Sequence, residues 1–128
     1  MLMYKFWGKV RKHNQKGRRL GFSTANLNLT QNIPEGIYVS LTKIKNQEYS
    51  SITFIGTSKT FDEKKFLAET HILDFKKNIY DKWISVKLLK KIRENIKFNS
   101  SKELISQIKK DEQEARKYFH KFTSVRRQ

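Results

Sequence analysis

Apolar and polar side chains alternate along much of the chain before Ser100, and this pattern constrains the fold more than any other feature of the sequence. Alternate residues of an extended chain face opposite sides, so a period of two predicts strands with one buried face. Within residues 4–12, for example, Phe6 and Val10 share one face. Similar strands are predicted at residues 37–44, 49–55, 66–75 and 83–92. Polar stretches at 13–19, 56–65 and 76–82, with turn signals at 34–36 and 45–48, predict the connections.

The pattern changes at Ser100, where Ser100 and Glu103 form a capping-box sequence that marks the start of a helix. Apolar residues then follow at helical spacing: Leu104, Ile105, Ile108, Ala115 and Phe119. We therefore expect a helix over about residues 101–119 and a basic tail over 120–128. Many short strands followed by one helix are typical of an antiparallel barrel or sandwich. The 128 residues fit one domain, with the barrel at about 4–98.

Residue usage excludes several classes of protein. The absence of cysteine rules out disulfide scaffolds, thiolate zinc sites and cysteine nucleophiles, and the three histidines are too scattered for a paired-histidine metal site. The sequence has no apolar run of about 18 residues and no signal-peptide pattern. We expect a cytoplasmic protein with no membrane partner.

The charge balance favours anionic partners. Lysine and arginine number 28 against 12 acidic residues, which gives a net charge of +16. Nucleotides, nucleic acid and anionic membranes are all compatible with such a surface, and so is a lysine-rich face that is merely solvated.

A first candidate site lies in residues 17–26, Gly-Arg-Arg-Leu-Gly-Phe-Ser-Thr-Ala-Asn. Glycines let backbone N–H groups approach a phosphate, and arginine donates forked hydrogen bonds to its oxygens. Thr24 and Asn26 are neutral oxygen donors two residues apart, so in an extended segment both point the same way. Such oxygens suit Mg²⁺ that is also held by phosphates. The alternative is an ordinary turn without a ligand.

Two further candidates follow along the chain. In a strand, Glu69 shares a face with His71 and Leu73, and its carboxylate could act as a general base or simply be solvated. Arg93 and Phe98 could grip a planar, polar ligand, or they could belong to an ordinary connection between a strand and the helix.

The order of these motifs resembles the riboflavin kinase (flavokinase) family. The matching pieces are Gly8-Lys9-Val10, the run at residues 17–26, the Pro-Glu-Gly-Ile-Tyr at 34–38, the Glu-Thr-His-Ile-Leu-Asp-Phe at 69–75, Tyr80, and the Gln-Ile-Lys-Lys-Asp at 107–111. The likeness is to the C-terminal kinase domain of bacterial bifunctional riboflavin kinase/FAD synthetases. It covers roughly residues 6–119.

The resemblance implies a six-stranded antiparallel Greek-key (split) barrel with a C-terminal helix packed against it. It also implies a reaction in which ATP and riboflavin give FMN and ADP with Mg²⁺. Residue by residue, it implies that Thr24 and Asn26 hold the metal and ATP, with Lys12, His13 and Arg18 around the nucleotide. Glu69 would be the base, and the flavin-binding residues would be Asp74, Arg93 and Phe98. An FAD synthetase domain or protein would be the partner.

The sequence departs from the family pattern at several positions. Ser23 replaces a proline just before Thr24, and His13 and Asp81 stand where the family usually has glycine. Ser51, Phe54 and Lys59 stand where Gly, Asn and Pro are usual. Two alternatives to an active kinase therefore stay open at this point. One is a catalytically impaired, regulatory paralogue that binds flavin or nucleotide, and the other is a basic RNA-binding barrel. An active kinase is also compatible with non-specific binding of polyanions such as nucleic acid.

Overall fold

Six antiparallel strands and a C-terminal helix make up the regular structure in a computed structural model that describes residues 4–11, 24–60, 63–75 and 77–126. The strands are β1 (Lys5–Lys9), β2 (Thr24–Asn28), β3 (Gly36–Ile44), β4 (Gln47–Thr60), β5 (Glu63–Ile72) and β6 (Trp83–Arg93), and the helix is α1 (Ser101–Arg126). The helix continues beyond the predicted end near residue 119. Within the described ranges, no helix is both long enough and apolar enough to cross a membrane.

The sheet has the strand order β1-β6-β3-β4-β5-β2, and every pairing is antiparallel. Strands β3, β4 and β5 follow one another as neighbours, and β6 then returns beside β3, which is a Greek-key connection. An antiparallel bridge between Arg11 and Asn26 joins the chain after β1 to β2 and nearly closes the barrel. The expected six-stranded Greek-key barrel with a C-terminal helix is confirmed.

The hairpin between β4 and β5 is longer than the alternation predicts. Residues 56–65 were expected to form a loop, but this prediction is wrong, because pairing continues from Gly56 opposite Leu67 to Thr60 opposite Glu63. Backbone pairing thus overrides the polar composition of the segment, and its threonines favour strands. The turn before β4 is shorter than expected, since Ile44 already pairs with Gln47.

The interior of the barrel holds apolar side chains and a chain of hydroxyl groups. Phe6 and Val10 of the first predicted strand are buried there, as expected. Polar members of the interior are fully buried and hydrogen-bonded to one another at 2.7–2.9 Å: Ser40, Thr42, Ser51, Thr53 and Thr70. Because the hydroxyls satisfy one another, their burial avoids the cost of unpaired polar groups.

A second apolar cluster lies outside the barrel, between the sheet and α1. It contains Ile37 and Val39 of β3, Ile52 of β4, Leu73 just after β5, and Ala115 of the helix. Strand β3 is therefore buried on both faces. The helix begins with the predicted capping box, in which the Glu103 N–H donates to Ser100 Oγ at 3.2 Å and Glu103 Oε2 accepts from the Asn99 N–H at 3.0 Å.

Candidate active site

The two proposed metal and phosphate ligands lie on one face of β2. Residues Thr24–Asn28 form a strand, so the expectation that Thr24 and Asn26 point the same way is confirmed at the level of the backbone. Asn26 is 3% exposed and Thr24 is half-buried. Their neighbours Ala25 and Leu27 face the barrel interior. The pair of oxygen donors is therefore held on a rigid strand on the outer side of the barrel.

Glu69 lies directly beside this pair. In the pairing of β2 with β5, Asn26 is opposite Glu69 and Thr24 is opposite His71. Residues directly opposite in an antiparallel pair share a face, with Cβ atoms about 5 Å apart. Glu69 is half-buried. The structure thus brings together a carboxylate and an amide that lie 43 positions apart in sequence (69 − 26).

The same row continues across the sheet. Glu69 pairs with Phe54 of β4, Phe54 with Ile37 of β3, and Ile37 with Arg93 of β6. At about 4.8 Å between neighbouring strands, Arg93 lies at most about 14 Å from Glu69 across the sheet. Phe54, which replaces the usual asparagine of the family, therefore lies on the same face as the catalytic candidate.

Arg93 is anchored to the helix. Its Nε and Nη2 donate to the two carboxylate oxygens of Asp111 at 2.8 and 2.7 Å, and its Nη1 donates to the Glu94 carbonyl at 3.0 Å. Gln107 also donates to Asp111, at 3.1 Å. Asp111 is 5% exposed, so this is a largely buried, bidentate ion pair. Three of the guanidinium N–H groups are thus bonded to protein, and the Arg93 side chain is 17% exposed.

Asp74 lies just after β5 with a left-handed backbone, φ +55°. Both of its carboxylate oxygens accept hydrogen bonds from Arg116 at 3.0 Å. The hydrogen bonds and charge of Arg116 lower the pKa of Asp74 below its ordinary value of 3.8. Arg116 also lies 3.7 Å from Glu112, which lies 3.7 Å from His71 Nε2. A polar network thus joins the end of β5 to α1.

The segment between β6 and α1 is fixed against β4. The Asn95 side chain donates to the Ile55 carbonyl at 3.2 Å. A Cβ on Gly56 would come within 3.0 Å of that Asn95 amide and within 2.7 Å of the Phe54 ring, so a larger residue here would displace these side chains. Phe98, further along the segment, is half-buried.

Three of the nucleotide-binding candidates, Lys12, His13 and Arg18, lie outside the described residues, as does Ser23. Asp81, another departure from the family pattern, is described: it has φ +64°, the left-handed conformation for which glycine is usual. Aspartate is among the non-glycine residues that tolerate this region best. The turn before β6 therefore has, at Asp81, the left-handed backbone conformation that glycine usually adopts.

Two residues of the site were missed by reasoning from the sequence. Arg11 is exposed, and its N–H donates to the Asn26 carbonyl at 2.8 Å, so the bridge places it on the same face as Asn26. The alternation of residues 4–12 indicates that Arg11 points away from the barrel interior, because it follows the buried Val10. Asp111 was part of a motif, but no pattern in the sequence pointed to Arg93 as its partner.

The donor set suits a magnesium ion that arrives with a nucleotide. Thr24 and Asn26 offer neutral oxygens on one strand face, and Glu69 adds a carboxylate next to them. Mg²⁺ commonly takes only one or two protein ligands and completes its shell with phosphate oxygens and water. The residues present therefore fit such an ion.

Comparisons with known proteins point to one family. A family model described as "Flavokinase: Riboflavin kinase" matches residues 1–119. The trifunctional protein RibF/MnmA of Mycoplasmoides gallisepticum is 45% identical over 117 residues, which cover 89% of this chain and 18% of that protein. The bifunctional riboflavin kinase/FMN adenylyltransferase of Bacillus subtilis is 36% identical over 118 residues, which cover 88% of this chain and 37% of that protein. The chain thus spans well under half the length of these curated relatives.

A solved structure supports the fold. The riboflavin kinase from Trypanosoma brucei has a TM-score of 0.66 and 22% identity to this chain, and the match covers 94% of this chain and 82% of that one. At that identity the likeness concerns the barrel and helix alone. Because the family model extends over nearly the whole sequence, the family is established. The chain belongs to the riboflavin kinase (flavokinase) family.

Proposed function

We propose that this chain transfers the γ-phosphoryl group of ATP to the 5′-hydroxyl of riboflavin, giving FMN and ADP. The observation that carries the proposal is the position of Glu69 directly opposite Asn26, with Thr24 on the same face. Phosphoryl transfer depends mainly on positioning, charge neutralisation and a base near the attacking hydroxyl. A carboxylate side chain whose Cβ lies about 5 Å from that of Asn26, with Thr24 at the diagonal position, meets these requirements.

On the nucleotide side, Thr24 and Asn26 would hold Mg²⁺ and the ATP phosphates. The ion, when bound, would neutralise negative charge on the phosphates. Lys12, His13 and Arg18 would surround the nucleotide, as in the family. Arg11 adds a cation on the same face as Asn26, where it can reach a phosphate oxygen.

At the reacting centre, Glu69 would accept the proton of the riboflavin 5′-hydroxyl. The hydroxyl oxygen forms its bond to the γ-phosphorus as the bond from that phosphorus to the bridging oxygen of ADP breaks. The leaving electron pair stays on ADP, and the proton stays on the Glu69 carboxylate until product release. Placement in the middle of β5 keeps this base in a fixed position relative to β2.

On the flavin side, Asp74, Arg93 and Phe98 would bind the ring system. The row from Glu69 to Arg93 spans at most about 14 Å, comparable with an extended riboflavin molecule. Since the edges of Arg93 are bonded to Asp111 and Glu94, we expect it to contact the flavin ring through its flat face. Phe98 would supply an aromatic surface near the same end of the row.

We further propose that residues 1–128 act as one kinase module in the cytoplasm. Its relatives carry an FMN adenylyltransferase activity in the same protein, which supports an FAD synthetase domain or protein as the partner. The absence of cysteine is compatible with a reducing compartment.

The test is to incubate the pure protein with riboflavin, ATP and Mg²⁺ and to separate the flavins by chromatography. We expect FMN to accumulate in equal amount to ADP, and to stop when Mg²⁺ is chelated. Riboflavin that binds, as judged by quenching of its fluorescence, but never becomes FMN would contradict the proposal.

A further inference from the structure

Both tryptophans of the protein lie exposed on neighbouring strands. Trp7 of β1 is 67% exposed and Trp83 of β6 is 65% exposed, although both strands bury their alternate residues in the barrel. Trp7 lies opposite Ser85, and Trp83 lies opposite Lys9, so the two rings are diagonal neighbours on one face. Diagonal neighbours in an antiparallel pair are about 7–8 Å apart. Exposing two of the largest apolar side chains side by side indicates a binding surface.

The side chains around the tryptophans are mainly lysines. The pairing of β1, β6 and β3 defines an aromatic–basic face that consists of Lys5, Trp7, Lys9, Leu41, Lys43, Trp83, Ser85 and Lys87. Carboxylates lie at two of its borders: Glu48 is opposite Lys43, and the exposed Asp81 precedes Trp83 by two residues. Lys5 lies directly opposite Lys87, an arrangement that is destabilising in an isolated sheet because like charges repel. An anionic ligand would relieve this repulsion.

We propose that the aromatic–basic face binds single-stranded nucleic acid. Bases would stack on Trp7 and Trp83, and the lysines between and beside the rings would neutralise the phosphates. Exposed aromatic side chains on adjacent strands of a sheet are a common platform for unpaired bases. The lysines alternate with the tryptophans, which suits a strand of alternating bases and phosphates better than a lipid surface or an apolar protein patch.

The surface involves none of the residues assigned to phosphoryl transfer, so it can be tested independently of the kinase reaction. Because the chain has only these two tryptophans, its intrinsic tryptophan fluorescence reports on this face alone. We expect an oligothymidylate of about 15 nucleotides to quench that fluorescence and to saturate. A fluorescein-labelled copy of the same oligonucleotide should give the same affinity by anisotropy, and saturating Mg²⁺-ATP should leave it unchanged.

Variants separate stacking from general charge. Trp83→Ala should weaken oligonucleotide binding roughly 10-fold, since stacking on one base accounts for about that much. The Lys5→Gln/Lys9→Gln double variant should lower the steepness of log affinity against log salt by about 1.4, since each phosphate contact on a single strand contributes about 0.7. Lys109→Gln/Lys110→Gln removes the same charge from exposed positions on α1 and should change neither quantity appreciably.

Several outcomes would overturn the proposal. They include equal weakening by the two double-lysine variants, binding that Trp83→Ala leaves intact, and displacement of the oligonucleotide by Mg²⁺-ATP. A blue shift of tryptophan emission with phosphatidylserine vesicles but no response to the oligonucleotide would assign the face to a membrane. Self-association in sedimentation that buries both tryptophans would assign it to a second copy of the chain.

Discussion

At the scale of single residues, the sequence identified the candidate ligands and the candidate base, but not how close to one another they lie. The motif at residues 17–26 identified Thr24 and Asn26 as oxygen donors, and strand periodicity gave their common face. Their proximity to Glu69 depends on the pairing of β2 with β5, two strands separated by β3 and β4 in the chain. Alternation after the buried Val10 places Arg11 on the outer face of its segment, but its position beside Asn26 depends on the bridge between them.

Removal of the Asn26 side-chain amide should weaken Mg²⁺ binding more than it lowers the stability of the fold. We expect Asn26→Ala to raise the Mg²⁺ concentration required for half-maximal FMN formation by roughly 10-fold. The matched control is Asn28→Ala, which removes the same group from an exposed position two residues along the same strand face. Magnesium titrations of the initial rate measure both variants. Equal Mg²⁺ requirements in Asn26→Ala and the unmodified protein would argue against Asn26 as a ligand.

At the scale of secondary structure elements, alternation located most strands, yet it misjudged which residues form the core. In β3 a period of two places Ile37 and Val39 on one side and Ser40 and Thr42 on the other, and one buried face would be expected. The structure buries both sides, the first under α1 and the second inside the barrel. Small hydroxyl side chains can be buried in the interior because they form hydrogen bonds with one another. These hydrogen bonds join β3, β4 and β5, so the alternation within a single strand cannot predict them.

The ion pair between β6 and α1 should be important for stability. We expect Arg93→Met to lower the free energy of unfolding by about 3 kcal/mol, because the buried Asp111 carboxylate loses its bidentate partner. Urea denaturation measures the change. Lys91→Met, which removes an exposed cation from the same strand, is the control and should have little effect. Replacing both partners, as Arg93→Met/Asp111→Leu, should recover much of the loss. If the double variant is less stable than Arg93→Met, the account of this pair is wrong.

The pair between Asp74 and Arg116 should make a small contribution that depends on pH. The pKa of Asp74 is lowered in the folded protein by the hydrogen bonds from Arg116, so the pair stabilises above the ordinary value of 3.8. This stabilisation is lost as the pH falls through the depressed pKa. Both groups are well exposed, so screening limits the effect to a few tenths of a kcal/mol.

Unfolding of the unmodified protein and of Asp74→Asn, compared between pH 7 and pH 2 at low salt, measures this effect. The difference between them should be present at neutral pH and should become smaller as the pH is lowered. A difference that grows on acidification would contradict the sign given above.

At the scale of the whole molecule, the fold was predictable because the family motifs occur in one fixed order along the chain. The Greek-key barrel and the C-terminal helix follow from that order. What did not follow is the length of the β4–β5 hairpin, whose polar residues look like a loop but continue the ladder to Thr60 and Glu63. The exposed face with Trp7 and Trp83 also lay beyond prediction, since it appears only when β1 pairs with β6.

The central claim is that Glu69, held opposite Asn26, is the base for phosphorylation of riboflavin. Its most direct test is the rate of FMN formation by Glu69→Gln under saturating ATP, riboflavin and Mg²⁺, measured beside ATP affinity. We predict a fall of about 10²- to 10⁴-fold in rate with ATP affinity nearly unchanged. Glu48→Gln, at an exposed position on β4, should keep the full rate. A Glu69→Gln protein that forms FMN at close to the unmodified rate would contradict the claim.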